Sequence, residues 1–214
     1  MIVAFDGNVF AGKTTLIDCL TEKIGCRRIA EHTFFVDQIR REKKYSPEFN
    51  EHLCYLQVDD LRQKAVGKGV VMLDRSFVSL SAHIYALYFF SGIDLREKHL
   101  QSLKSFLRQK KIIIPDFYVF VSCDRKIAQK RFSAGQSAIL RGTQKMFIEK
   151  KYFSKVAKFN LLWQKAIANG CVVKSNNIGC HKLAQKMVRL KNEGGKKISS
   201  KSIINLTSKI FFNK

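Results

Sequence analysis

The sequence has little proline, little tryptophan and, in its second half, few acidic residues. Two prolines and one tryptophan occur in 214 residues, so a proline-rich stalk or linker is excluded. No apolar run approaches the roughly 18–20 residues of a membrane-spanning helix, and the first apolar segment resembles a core strand rather than a signal peptide. A mean hydropathy of −0.13 and a hydrophobic content of 46% are typical of a soluble globular protein.

The six cysteines include no C-x-x-C pair, so the spacing gives no zinc or redox motif. Several of them lie in apolar segments. We therefore expect reduced thiols in the core of a cytoplasmic protein. They are Cys19, Cys26, Cys54, Cys123, Cys171 and Cys180.

The net charge of +22 is unevenly distributed. Residues 1–100 contain 14 Lys and Arg against 13 Asp and Glu, whereas residues 101–214 contain 25 against 4. Such a basic half could cradle phosphates, bind nucleic acid or lie on an anionic membrane. We favour lysines spread over solvated helix faces, because they form no single dense patch. Nucleic acid stays open as a partner but is not favoured.

The first fifteen residues contain the most specific motif. An apolar run rich in strand formers, Ile2 to Phe5, is followed by G-x-x-x-x-G-K-[ST] at Gly7 to Thr14. Apolar residues at helical spacing come next. Strand, glycine-rich loop and helix start thus appear in the order that a phosphate-binding loop requires.

The residue types of this loop suit a triphosphate. Glycines let the backbone curl so that N–H groups point at phosphates, and the positive end of the helix dipole faces the same place. Lys13 would reach the β- and γ-phosphates, and the Thr14 hydroxyl would bind Mg²⁺. We therefore expect ATP as co-substrate and Mg²⁺ as cofactor. The expected ATP-binding residues of the loop are Gly7, Asn8, Val9, Phe10, Ala11, Gly12, Lys13, Thr14 and Thr15.

Four more strands, predicted near residues 27–31, 70–73, 117–121 and 171–173, alternate with helical segments. The strand predicted at 70–73 is apolar throughout, as expected of a strand buried on both faces. The alternation predicts an α/β fold of the P-loop NTPase type. Its doubly wound parallel sheet would have about five strands, with helices on both faces and a lid segment.

The length suits one domain with a large core, or one domain and a tail. We place the domain at residues 1–191, with a glycine- and serine-containing lid at about 133–143. Residues 192–214 are predicted to be a basic linker and tail. Its apolar residues at 203–204 and 210–212 could contact a partner or the domain itself.

Two acidic residues end predicted strands. Glu31 ends the second strand, and Asp74, followed by Arg75, ends the third. Open α/β sheets place their active sites at this edge, so we expect these side chains to converge on the loop. Asp74 is a candidate second ligand of Mg²⁺. The alternatives are that Glu31 only caps a helix and that Asp74 and Arg75 form a structural ion pair.

The sequence resembles the deoxynucleoside kinase and thymidylate kinase family over roughly residues 1–190. Residues 6–15, D-G-N-V-F-A-G-K-T-T, are similar to the E-G-N-I-x-x-G-K-S-T loop of deoxynucleoside kinases. Residues 74–79 are similar to their E-R-S-x-x-S and equally to the D-R-Y-x-x-S of thymidylate kinases. Residues 115–121, with A-x-x-R at 128–131, resemble the stretch that enters the lid, and residues 151–153 resemble the K-Y-L after it.

The resemblance implies roles for individual residues. Glu31 would be the base that takes the proton from a sugar 5′-hydroxyl, and Arg75 would hold Glu31 or the transferring phosphoryl group. Asp74 would help hold Mg²⁺. Arg131 would lie against the adenine, and Arg141 would cover the phosphates.

Candidate substrate-binding residues are Phe35, Tyr55 and Phe77, which could stack a base or simply fill the core. A further candidate is Ser79 of the motif at residues 74–79, called the second motif below. The Pro and Val that follow the catalytic acid in deoxynucleoside kinases are His32 and Thr33 here, so the acceptor stays open.

We expect an ATP- and Mg²⁺-dependent kinase of a deoxynucleoside or a nucleoside monophosphate. The alternatives are thymidylate kinase and, from another class, an ATP-binding regulatory or nucleic-acid-associated protein. A homodimer is also left open.

Overall fold

One five-stranded sheet organises the computed structural model, which describes residues 1–33, 35, 50–135, 145–174, 180–193 and 197–212. Strands and helices alternate along these residues, as the sequence pattern predicts. A 3₁₀ turn at Lys145–Ile148 precedes the sixth helix. In chain order the elements are β1 (Ile2–Gly7), α1 (Lys13–Ile24), β2 (Arg27–Ile29), α2 (Asn50–Lys64), β3 (Val71–Asp74), α3 (Phe77–Ser91), α4 (Arg96–Arg108), β4 (Phe117–Ser122), α5 (Arg125–Gly135), α6 (Lys150–Ala166), β5 (Gly170–Lys174), α7 (Cys180–Glu193) and α8 (Ser200–Phe212).

The strand order is β2-β3-β1-β4-β5, and every neighbouring pair is parallel. Phe5 of β1 lies opposite Asp74 of β3, and Gly7 lies opposite Val121 of β4. The carboxyl ends of all strands therefore meet at one edge. The chain changes direction across the sheet at β1, and a crevice at such a switch point is where open α/β sheets bind ligands.

Helices cover both faces of the sheet. Alternate residues of a strand point to opposite faces, and those of β1 do so here. Ala4 belongs to one buried apolar cluster, whereas Val3 and Phe5 belong to another. The cluster around Ala4 contains side chains of α3, α4, α6 and α8, including Trp163. The other contains side chains of α1 and α7. The predicted doubly wound α/β fold is confirmed.

Residues 200–212, within the segment predicted to be a linker and tail, form the helix α8. Ile203, Ile210 and Phe211 are buried in the cluster around Ala4, so the apolar residues of this segment contact the domain itself. Ile210 and Phe211 lie seven and eight positions after Ile203, a spacing that puts the three residues on one face of a helix. The lysines and serines around them led to the prediction of a tail instead. The boundary at residue 191 stays a prediction.

The expectation that all cysteines are reduced is wrong for two of them. Cys19 of α1 and Cys180 of α7 form a disulfide, with Cα atoms 6.6 Å apart. Cys26 and Cys171 are free thiols. The sequence could not show the pair, because the two cysteines are 161 positions apart and only the packing of α7 on α1 brings them together.

Some predicted features lie outside the described residues. Residues 136–143 of the predicted lid, with Arg141, are among them. Ser133 to Gly135, at the start of the predicted lid, end helix α5. Among the described residues, no helix is both long and apolar enough to cross a membrane.

Candidate active site

The loop between β1 and α1 has the backbone geometry that its glycines predict. Gly7 has φ +138°, and a Cβ at this position would overlap the carbonyl oxygen of Val121 in the neighbouring strand. Gly12, immediately before α1, has φ +90°. Phe10 adopts φ +61°, which is uncommon for a residue with a side chain. Glycine is thus required where the loop leaves the sheet and favoured where the helix begins.

Lys13 is buried inside this loop. Its Nζ donates to the carbonyl oxygens of Asn8, at 2.7 Å, and Gly7, at 3.3 Å. Burial, reinforced by the positive charge of Arg75, lowers the pKa of Lys13 to about 7, although Asp74 and Glu31 oppose the shift. An anion bound in the loop would stabilise the ammonium form of Lys13, because a nearby negative charge favours the protonated lysine.

Glu31 and Arg75 form an ion pair, although they follow different strands, β2 and β3. The Nε of Arg75 donates to Oε2 of Glu31 at 2.7 Å, and the Thr33 hydroxyl donates to Oε1 at 2.7 Å. Burial alone would raise the pKa of Glu31, but the charge and hydrogen bond of Arg75, helped by Thr33 and Lys13, lower it to about 2. The carboxylate is therefore ionised at neutral pH.

Asp74 lies against the start of α1. Its Oδ2 accepts hydrogen bonds from the Thr14 hydroxyl, at 3.3 Å, and from Arg28, at 2.9 Å. Its Oδ1 is buried and has no hydrogen-bond partner among the described residues. A carboxylate oxygen without a partner, on an acid bonded to a threonine hydroxyl, fits the oxygen ligands that Mg²⁺ prefers. The structure thus brings together the two side chains predicted to hold the metal.

Asp6, just before the loop, fixes the start of α3. Its carboxylate accepts hydrogen bonds from the hydroxyls of Ser76, at 2.7 Å, and Ser79, at 2.6 Å, and from both of their backbone N–H groups. Ser79, predicted to bind substrate, thus has a partner within the protein. The two serines of the second motif hold β1, β3 and α3 together at the site.

Arg131, predicted to lie beside the adenine, reaches the loop from α5. Its NH1 donates to the carbonyl oxygen of Phe10 at 3.0 Å, and its guanidinium lies beside Gly12. The rings of Phe10 and Phe132 meet edge to face with centroids 5.4 Å apart. One side of the loop is therefore covered by Arg131 and by the Phe132 ring, which contacts Phe10 of the loop.

The predicted base-stacking residues are divided between two places. Phe77 is fully buried and packs against Trp163, with ring centroids 5.8 Å apart, so it belongs to the core. Phe35 and Tyr55 pack around Val58 in a small separate cluster. Tyr55 also faces His32, the residue after Glu31, with ring centroids 6.2 Å apart. Phe35 and Tyr55 therefore lie nearer than Phe77 to Glu31, the candidate base.

Three buried polar residues behind the site were not predicted to act there. Asp59 and Arg62 of α2 contact each other and His32, and all three are almost completely buried. Arg28 is a fourth unpredicted residue, since it bridges Asp74 and Asp18. The available signal was V-D-D-L-R at 58–62, which places an acid and an arginine three positions apart in a helix, where side chains meet.

Neither a family model nor a curated protein matches this chain. Solved structures do match. Deoxyadenosine kinase from M. mycoides with bound dATP has 15% identity and a TM-score of 0.62, covering 90% of this chain and 100% of that one. The same enzyme with dCMP and dCDP gives 16% and 0.63 with the same coverage. Thymidylate kinase from Candida albicans gives 16% and 0.58, covering 92% and 94%.

These similarities extend over nearly the whole of each chain. They show that the fold is that of P-loop nucleoside and nucleotide kinases, as the motifs at residues 6–15 and 74–79 predict. At 15–16% identity they show the fold alone. The chemistry has to be argued from the residues at the carboxyl edge of the sheet.

Proposed function

We propose that this protein is an ATP- and Mg²⁺-dependent kinase that phosphorylates the 5′-hydroxyl of a deoxynucleoside. The acceptor oxygen would attack the γ-phosphorus, the bond to the β-phosphate oxygen would break, and ADP would leave. Lys13 and the loop amides would hold the phosphates. Thr14 and Asp74 would hold Mg²⁺, which neutralises phosphate charge when bound.

The observation that carries the proposal is the Glu31–Arg75 pair beside the loop. A hydroxyl acceptor must lose a proton, and a carboxylate within reach can take it. A transferring phosphoryl group is negative, and an arginine can stabilise it.

The test is ATP consumption against a panel of nucleosides and nucleoside monophosphates. We expect turnover on at least one deoxynucleoside, with Glu31→Gln lowering kcat about 10²–10³-fold because the proton acceptor is lost. Arg75→Lys serves as the matched variant, since it keeps the charge and loses the planar fork. Turnover on no member of the panel would contradict the proposal.

Thymidylate kinase is the second candidate, and the low pKa of Glu31 favours it. A carboxyl with a pKa of about 2 is a weak base, and an acceptor that already carries an ionised phosphate needs no base. This candidate predicts dTMP as the preferred acceptor and a kcat that changes less than about threefold in Glu31→Gln. The same panel therefore separates the two functions.

Location and assembly are also proposals. We propose a cytoplasmic enzyme, because ATP and nucleosides are available there, and a homodimer. A disulfide is uncommon in that compartment, so thiol labelling of Cys19 and Cys180 in freshly lysed cells tests the first proposal. Sedimentation of the purified protein tests the second.

A further inference from the structure

Arg62 joins the two strand ends that provide Glu31 and Arg75. It lies on α2 and is fully buried. Its NH2 donates to the backbone carbonyl oxygens of Asp74, at 2.8 Å, and Arg75, at 2.9 Å. Its NH1 donates to Asp59, at 2.9 Å, and contacts the Nε2 of His32 at 2.9 Å. One planar guanidinium thus contacts both segments that carry the ion pair.

The backbone at Arg75 needs such support. Arg75 has φ +64°, in the left-handed region that residues with a Cβ rarely adopt. Positions of this kind persist where the surrounding structure fixes them. The NH2 of Arg62 fixes the carbonyl groups on both sides of the Arg75 Cα. The backbone conformation that directs the Arg75 side chain to Glu31 is therefore held from behind by α2.

The other end of Arg62 reaches the neighbour of Glu31. Burial, with the positive charge of Arg62, lowers the pKa of His32 against the opposing effect of Asp59, so the ring is neutral at neutral pH. Arg62 is a permanent donor, and Nε2 therefore accepts in its contact at 2.9 Å. With its lone pair directed at Arg62, Nε2 of the neutral ring has no proton to donate to Asp59, whose carboxylate lies 3.3 Å away. Arg62 thus fixes the residue that follows the candidate base.

We propose that Arg62 is a positioning residue, which aligns the Glu31 carboxylate with the Arg75 guanidinium for the phosphoryl transfer proposed above. It touches no substrate and acts through the backbone of Arg75 and the ring of His32. The inference rests on that proposed function for its kinetic consequence. Its structural consequence, an aligned ion pair, can be measured without any turnover.

The activity-independent test is the pKa of the Glu31 carboxyl, followed by ¹³C NMR in the full-length protein and assigned by its loss in Glu31→Gln. In the wild type we expect the carboxyl to stay ionised between about pH 6 and about pH 3.5. In Arg62→Met we expect its pKa to rise toward the ordinary value, because Arg75 is no longer held against it. An unchanged pKa in the folded variant would overturn the proposal.

Two further variants guard this test. Arg62→Lys keeps a buried cation beside Asp59 but loses the fork that spans both segments, so it should raise the pKa of Glu31 even if Arg62→Met does not fold. Ile203→Ala removes a fully buried side chain of α8. It controls for general loss of stability and should leave the pKa of Glu31 unchanged.

The kinetic test is a double-mutant cycle on the preferred acceptor. We expect Arg62→Met to lower kcat about 10²-fold with the KM for ATP changed less than about threefold, and Arg62→Lys to fall between. In the Glu31→Gln background, Arg62→Met should lower kcat by less than about threefold, because the carboxylate that Arg62 aligns is already absent. If the losses of kcat from Arg62→Met and Glu31→Gln multiply fully in the double variant, the role of Arg62 is only to stabilise the fold.

The two proposals fail separately. If the wild type phosphorylates no acceptor, the proposed kinase is refuted, and the pKa of Glu31 in the Arg62 variants still decides whether Arg62 aligns the pair. If turnover is found and neither the pKa nor the cycle responds to Arg62, only the positioning role is refuted.

Discussion

The carboxyl edge of the sheet is rich in charged side chains, whereas one face of the sheet, the aromatic face, is rich in aromatic rings. At the edge, the buried side chains of Lys13, Asp74 and Arg62 form hydrogen bonds with the Asn8 carbonyl oxygen, the Thr14 hydroxyl and the Asp74 carbonyl oxygen, respectively. On the aromatic face, formed by α3, α4, α6 and α8, the ring of Phe159 packs against those of Trp163 and Phe211. Charges at the edge cost stability when they are desolvated, whereas the rings contribute it. Activity and stability should therefore respond to different substitutions.

The largest effect should come from Lys13→Ala at the edge. We expect turnover to fall at least about 10³-fold, because the buried ammonium facing the phosphates is lost. The melting temperature should stay equal or rise, since burial already disfavours the charge, as its lowered pKa shows. Steady-state ATP consumption and thermal unfolding check both halves. Activity that survives this substitution would contradict the assignment of the loop.

The matched change on the aromatic face is Phe211→Ala. Phe211 is 2% exposed and contacts Tyr85, Phe159 and His99. Truncating it should lower the free energy of unfolding by about 3–5 kcal/mol through lost burial and a cavity. kcat well below the melting temperature should change little. Urea unfolding and turnover at low temperature measure this, and a large loss of kcat with normal stability would remove the contrast between the two regions.

A smaller effect should follow from Cys19→Ser, which opens the link between α1 and α7. The disulfide closes a loop of 161 residues, so its loss should cost about 2–4 kcal/mol, chiefly through a less restricted unfolded chain. Urea unfolding of Cys19→Ser and of the wild type under reducing conditions should give the same midpoint. Cys26→Ser is the control, because Cys26 is a free thiol.

The smallest effect concerns acid unfolding. The pKa of Glu31 falls from 4.5 to about 2 on folding, so its ionised form stabilises the folded state above pH 4.5. That contribution is lost as the pH falls from 4.5 toward about 2. Glu31→Gln should therefore narrow the stability difference between pH 6 and pH 3, by roughly 1 kcal/mol or less because Glu31 is partly exposed to solvent. An identical pH dependence in both proteins would argue against the Glu31–Arg75 pair.

The fold was largely predictable because its signals are local. The glycines of the loop, the apolar run at 70–73 and the helix spacing each indicate an element without reference to distant residues. The convergence of Glu31, Asp74 and Lys13 followed from a topological rule, that parallel strands end at the same edge. These expectations needed no knowledge of side-chain contacts.

The unpredicted features depend on long-range packing. Arg62 resembles an ordinary helix-surface arginine in sequence, and only the approach of β3 to α2 buries it beneath two carbonyl groups. Cys180 is indistinguishable from the free cysteines until α7 lies on α1. Helix α8 was assigned to a tail because lysines and serines follow the glycines at 194–195, and only its packing on the domain shows which of its residues are buried.

The position of α8 has a consequence for how the chain is made. It is the last described element to leave the ribosome, yet Phe211 lies among rings contributed by α3 and α6. Until residues 200–212 emerge, the rings of Tyr85 and Phe159 lack their cover. Between the synthesis of Phe159 and that of residues 200–212, a nascent chain therefore exposes this apolar surface. Chaperone demand and aggregation during expression should therefore depend on how quickly the codons of residues 200–212 are read.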